Sequence, residues 1–116
     1  MQSKGRTPIN KISAKQQKIN SALKEVYHNI DIERPRMCSG CLSCHQLSHS
    51  HLVPRSYNRG LVCEEKNIAI HCLECHKKWE RGVEVEDMLD FDTNMRILKE
   101  LDTSYYNLRR AKLIVK

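Results

Sequence analysis

Two kinds of apolar spacing alternate along the chain. From Ser13 onward Ile19, Leu23, Val26, Tyr27 and Ile30 recur at three- and four-residue steps, which predicts a helix with one apolar stripe and with Lys15, Lys18 and Lys24 off it. Ser13-Ala14-Lys15-Gln16 has the form of a capping box, Ser13 accepting from a first-turn amide and Gln16 reaching back. Arg34-Pro35 ends the helix, because the residue before proline is pushed out of the helical region. Shorter runs follow. Ser50 to Val53 reads as a strand stopped by Pro54, Tyr57-Asn58-Arg59-Gly60 as a turn, and the isoleucine-rich run Asn67 to His71 as a second strand. Leu73 to Arg81 is helical and stops at Gly82, with Trp79 as its apolar anchor. Val83 to Phe91 is acidic and weakly patterned. Asp92 or Thr93 then caps a last helix, whose stripe is Met95, Leu98, Leu101, Tyr105 and Leu108. The pattern predicts a small α+β chain in four parts: a flexible basic tail (1–12, broken by Gly5 and Pro8), an N-terminal helix (13–36), a strand–loop–strand–helix core (37–82) and a C-terminal helical scaffold arm (83–116). No internal repeat or low-complexity linker interrupts them.

Length changes the picture first. A chain of 116 residues with one Trp and one Phe buries little apolar surface, so a staple is expected. Six cysteines offer one. Cys72-x-x-Cys75 is an unambiguous zinc half-site, whereas Cys38-x-x-Cys41 and Cys41-x-x-Cys44 are both legal as its partner. Cys38 with Cys41 is favoured, since Gly40 gives a knuckle turn its conformational freedom. Cys44 is then a spare, and Cys63 a small buried apolar residue. Four thiolates make a closed tetrahedral zinc site whose binding energy becomes folding energy. Thirty residues separate Cys41 from Cys72, so an extra unit sits between the knuckles. Met1 to Arg6 is polar and basic with no apolar stretch after it, and no run approaches the roughly 18 residues of a membrane span. The expected compartment is a reducing cytoplasm, where cysteine pairs favour metal over disulfide.

Charge points to a partner. The net charge is +6, with eight Lys and Arg against three acids in residues 1–36, six against four in 37–82 and six against seven in 83–116. A basic front half suits a polyanion, although a merely solvated surface would look the same.

The densest chemistry lies in His49-Ser50-His51-Leu52-Val53-Pro54-Arg55-Ser56 and in Asn67-Ile68-Ala69-Ile70-His71-Cys72-Leu73-Glu74-Cys75-His76. With Cys38-x-x-Cys41 ahead of them, this ordered set resembles the HNH endonucleases of the ββα-metal class, in particular the small stand-alone HNH proteins of bacteriophages that carry two zinc knuckles. The likeness spans roughly residues 38–80 and leaves the flanking helices uncovered. It implies a ββα-metal core and a role for each matching position. His51 corresponds to the general base, suited to the work because a neutral imidazole can take a proton from water near pH 7. His76 corresponds to the ligand of a catalytic magnesium or manganese ion. Asn67 either coordinates that ion or ties down the loop carrying His51. Arg55 could grip a phosphate oxygen with its planar fork, and Arg59, Lys77 and Lys78 could join it on a nucleic-acid backbone. One departure stands out: many members carry Asp or His immediately before the base, and here Ser50 stands there. His49, which shares a strand face with His51, is a candidate to replace that ligand, and His71 is weighed as a spare.

Two functions follow. The first is a metal-dependent DNA endonuclease; the second is a non-catalytic zinc-ribbon nucleic-acid-binding or adaptor protein that keeps the scaffold and lacks the acidic ligand. A cysteine protease is set aside, since so short a chain offers Cys44 no cleft and no third orienting group. With no base-reading helix evident, DNA binding should be phosphate-dominated and salt-sensitive. The resemblance further implies a phage terminase or packaging partner.

Overall fold

The computed structural model describes residues 13–115, so the basic tail expected over 1–12 lies outside the described residues. Helix α1 (Ala14–Glu33) starts at Ser13, whose Oγ accepts from the Gln16 amide at 3.1 Å. The other half of the expected capping box is not formed, because Gln16 Nε2 donates instead to Asn20 Oδ1 at 2.9 Å. Arg34 leaves the helix with ψ 152°, as a residue before proline must. Its guanidinium donates to the Ile68 and Glu65 carbonyls and so fastens the end of α1 to the sheet.

Strands β1 (Leu47–His51) and β2 (Ile68–Cys72) pair antiparallel, with Leu47 opposite Cys72 and His51 opposite Ile68. The first strand therefore begins before Ser50 and stops before Leu52, a shift from the sequence reading. Hydrogen bonding explains where it stops. Leu52 N still donates to the Asn67 carbonyl at 2.7 Å, but Val53 N turns to the Asn67 side chain at 2.8 Å, which ends the ladder. All five β2 residues are buried. Ile68 and Ile70 pack with Leu23 and Ile30 of α1 and with Val62. Ala69 and Cys72 belong to a second, larger cluster with Leu52, Val53, Trp79, Met95, Leu98 and Tyr105.

Helix α2 (Leu73–Arg81) follows β2 without a linker and ends on Gly82, whose φ of 72° is the left-handed conformation a side chain would resist. The acidic stretch after it is better organised than its pattern implied, since the short turn Val85–Asp87 buries Val85 and Met88. The single last helix of the sequence reading is two. Helix α3 (Phe91–Leu101) begins after Asp90, and α4 (Thr103–Val115) after a break at Asp102. There Oδ1 accepts from Tyr105 N and Oδ2 from Asn58 Nδ2, both at 3.0 Å, so one carboxylate caps α4 and ties it to the loop between the strands. The break takes Leu108 out of the stripe and leaves it 44% exposed, while Met95, Leu98 and Tyr105 remain core. Over the described residues the result is a small α+β fold of four helices and a two-stranded antiparallel sheet. Among the described residues no helix is long and apolar enough to cross a membrane.

Candidate metal centre and imidazole-lined recess

The thiols of Cys38, Cys41, Cys72 and Cys75 converge, with all four Sγ atoms within 4.8 Å of one another. Cys41 and Cys72 Sγ lie 3.6 Å apart, close to the edge of about 3.8 Å that a tetrahedron with Zn–S bonds of about 2.3 Å requires. None of the six cysteines is in a disulfide. Backbone amides reinforce the cluster, Gly40 N reaching Cys38 Sγ at 3.3 Å and Cys75 N reaching Cys72 Sγ at 3.5 Å. Burial, with the Cys38 and Cys41 thiols alongside, pushes the Cys75 thiol well up, whereas at Cys72 burial is outweighed by the Cys75 amide and the neighbouring thiols, which lower it. The donor set fits a metal ion such as zinc. Gly40 is needed here for a reason other than the one the sequence suggested: a Cβ would sit 2.9 Å from Cys75 Sγ and 3.0 Å from Met88 Cε. The left-handed turn of the knuckle falls to Leu42, at φ 68°. Cys44 is exposed and outside the cluster, as a spare would be, while Cys63 is half-buried rather than core.

Between the end of β1, α2 and α4 a recess of about 480 Å³ is lined by His51, His76, Arg55, Glu80, Trp79 and Arg109, among others. Each of the first two imidazoles is fixed through one nitrogen. His51 Nε2 donates to the Val62 carbonyl at 2.9 Å, which leaves Nδ1 as the basic nitrogen. Burial lowers its pKa, the Val62 bond offsets part of this, and the charge of Arg55 lowers it further, so the ring is neutral at pH 7. His76 is settled by Ser48. That hydroxyl has one proton, which goes to the His71 carbonyl at 3.1 Å, so at 2.7 Å it accepts from His76 Nδ1–H. His76 Nε2 then presents a lone pair to the Glu80 carboxylate 3.5 Å away. Glu80 lies one helical turn on from His76, on the same face of α2.

The remaining expected residues divide. Asn67 is fully buried, its Oδ1 accepting from Val53 N and its Nδ2 donating to the Val53 and Leu61 carbonyls at 3.2 and 3.1 Å. Its amide is spent on the loop after His51, so of its two expected roles the structure has the loop-tying one. His49 shares the recess, with its ring stacked on Tyr27 at 4.0 Å and its Nε2 held by Asp31 at 2.9 Å. Ser50 is buried on the opposite face with its hydroxyl unpartnered. Arg55 is shared with a neighbouring recess of about 370 Å³ that Arg59 lines together with Gln16 and Ile19 of α1. Lys77 and Lys78 line neither; Lys78 faces Glu84 at 4.0 Å.

His71 is a fully buried tether. Its Nε2 lies 2.9 Å from Asp90 Oδ2, which also accepts from Ser39 Oγ at 2.5 Å and so joins β2, the first knuckle and the start of α3. Burial would raise the Asp90 carboxyl, but the bonds from His71 and Ser39 outweigh it and hold the group below the usual carboxylate range. Three participants went unseen in the sequence: Asp90, Glu80 and Arg109. Only Glu80 left a signal, its spacing of four from His76 on one helix face. No family model, curated protein or solved structure matches the chain, so the likeness to HNH endonucleases rests on the residues themselves.

Proposed function

We propose that this protein is a metal-dependent endonuclease of HNH type that hydrolyses DNA phosphodiester bonds within a zinc-stapled fold. One observation carries the reading. His51 and His76, twenty-five positions apart in sequence, line one recess, each with one ring nitrogen pinned by a hydrogen bond and the other left as a lone pair. His51 Nδ1 would take the proton of the attacking water. The neutral ring that burial enforces is the form that can do so. His76 Nε2 and the Glu80 carboxylate would hold the magnesium or manganese ion, and Asn67 keeps the His51 loop in register beside them. When bound, such an ion would supply Lewis-acid stabilisation to the phosphate and the leaving 3′ oxygen. Arg55 and Arg59, along the two adjoining recesses, would receive the flanking backbone. A terminase or other packaging partner belongs to the same reading and has only the family likeness behind it.

Incubating zinc-loaded protein with supercoiled plasmid and magnesium or manganese tests this. Nicked or linear product is expected, falling by about 100-fold or more in His51→Ala, the scale of a lost general base. Cutting that survives the substitution would remove His51 from the chemistry. A protein that retains zinc and binds DNA without divalent-dependent cutting would be the zinc-ribbon adaptor instead, a reading that the buried Ser50 before the base favours.

A further inference from the structure

The recess has a wall that the HNH likeness does not reach. Arg109, on α4, lines it at only 7% exposure, and its Nη2 has no hydrogen-bond partner. The guanidinium lies 4.2 Å from the Trp79 ring and 6.0 Å from that of Tyr105. Among the described residues it makes no ion pair; Glu80, on the same recess, is engaged with His76. Arginine stays charged at any pH the fold survives, so this is a permanent cation taken out of water with no counter-charge. Stacking orients the plane of the fork and attracts its charge, but leaves the in-plane N–H donors unspent. An uncompensated buried charge is costly to a fold this small. A planar fork held flat on an indole, short of acceptors and open to a recess shared with Arg55, is complementary to a tetrahedral oxyanion.

We propose that the recess is a phosphodiester-binding site in which Arg109 of α4, held by Trp79 and Tyr105, grips a backbone phosphate together with Arg55. This deepens the endonuclease reading and rests on it for the choice of anion. It assigns the C-terminal helix to substrate binding as well as to scaffold. Arg109 here is a binding residue that positions the phosphate near His51; it moves no proton.

The test is the salt dependence of binding to a short DNA duplex, between about 50 and 200 mM salt with no magnesium or manganese added and zinc content checked. Each phosphate contact adds about 0.9 to the slope of log affinity against log salt. Arg109→Gln should bind about ten-fold more weakly at the low-salt end with a slope smaller by about 0.9, while keeping its zinc. Arg110→Gln, an exposed cation one residue on, should leave the slope as it is. Arg109→Lys keeps a charge without the fork, so it should retain the slope and lose several-fold in affinity; if the glutamine variant does not fold, unchanged affinity in the lysine variant overturns the proposal. A folded Arg109→Gln with the wild-type slope, or an equal effect from Arg110→Gln, overturns it also. If the plasmid assay has shown His51-dependent cutting, those results defeat the Arg109 assignment alone. Wild-type protein that does not bind duplex DNA at all defeats both it and the endonuclease reading.

Discussion

At the scale of single residues, the proposed chemistry turns on which nitrogen of each ring is free. His51 and His76 are both half-buried and both would look equivalent in a list of histidines, yet their partners differ in kind. A backbone carbonyl can only accept, so Val62 makes His51 Nε2 the protonated nitrogen. The hydroxyl of Ser48, already donating elsewhere, does the same for His76 Nδ1. Burial then lowers the His51 pKa from its usual 6.5, and the charges of Arg55 and the neighbouring imidazoles act in the same direction against the Val62 bond. The sign is simple: the ring is a base only when neutral, and lowering its pKa extends the neutral form to lower pH. On the endonuclease proposal, cleavage should therefore rise with pH along a single limb whose midpoint lies below 6.5, and be flat from there through pH 8. Rates measured from pH 5 to 8 at saturating divalent ion check this. A limb centred above 6.5 would mean that a group other than His51 sets the rate.

At the scale of elements, Asn67 decides how the hairpin ends. One side chain replaces the next rung of the β1–β2 ladder, taking both the N–H and the carbonyl of Val53 and adding the carbonyl of Leu61. Asn67→Ala would leave the buried N–H and carbonyl of Val53 without partners at about 1–3 kcal/mol each, so a loss of about 2 kcal/mol or more is expected in urea unfolding at fixed zinc. The concentration of magnesium or manganese for half-maximal cutting should barely move. A large increase with unchanged stability would return Asn67 to the cation. This dual use explains what the chain showed and hid. The asparagine was legible as a member of an ordered set, but whether it holds an ion or a loop depends on atoms contributed by residues 53 and 61. Helix α2 was legible in full because both its ends are local, Cys72 capping one and Gly82 the other. The split between α3 and α4 was not, since Asp102 interrupts the helix by an N-cap and a bond to Asn58 forty-four positions away, while the apolar spacing runs on across the break. Arg109 was hidden for the same reason. Only the return of α4 over Trp79 gives it a site.

For the molecule as a whole, the thiol cluster lies between the segments that carry the cores and the recess. Cys72 closes β2 and caps α2, Cys75 lies one residue before His76, and Cys38 and Cys41 come from the loop after α1, so the cluster joins the segments that carry both apolar cores. Structural zinc in small domains binds with about 10–16 kcal/mol, comparable to the whole stability of a domain, which is about 5–15 kcal/mol. Removing the ion should thus unfold the core and not merely loosen it. Trp79 reports on this directly, being the single tryptophan, 1% exposed, with its Nε1 donating to the Leu52 carbonyl at 3.1 Å. On chelation at pH 7 its fluorescence should shift to the red of solvent-exposed indole, cooperatively with the loss of one zinc per chain, and return when zinc is restored. The two possible knuckle registers are separated by substitution. Cys44→Ser should keep one zinc and the buried-indole spectrum, because its thiol is outside the cluster, whereas Cys38→Ser and Cys75→Ser should lose both. Zinc retained by Cys38→Ser but lost from Cys44→Ser would reverse the register, and with it the placement of Gly40 against Cys75 that fits the first knuckle to the second.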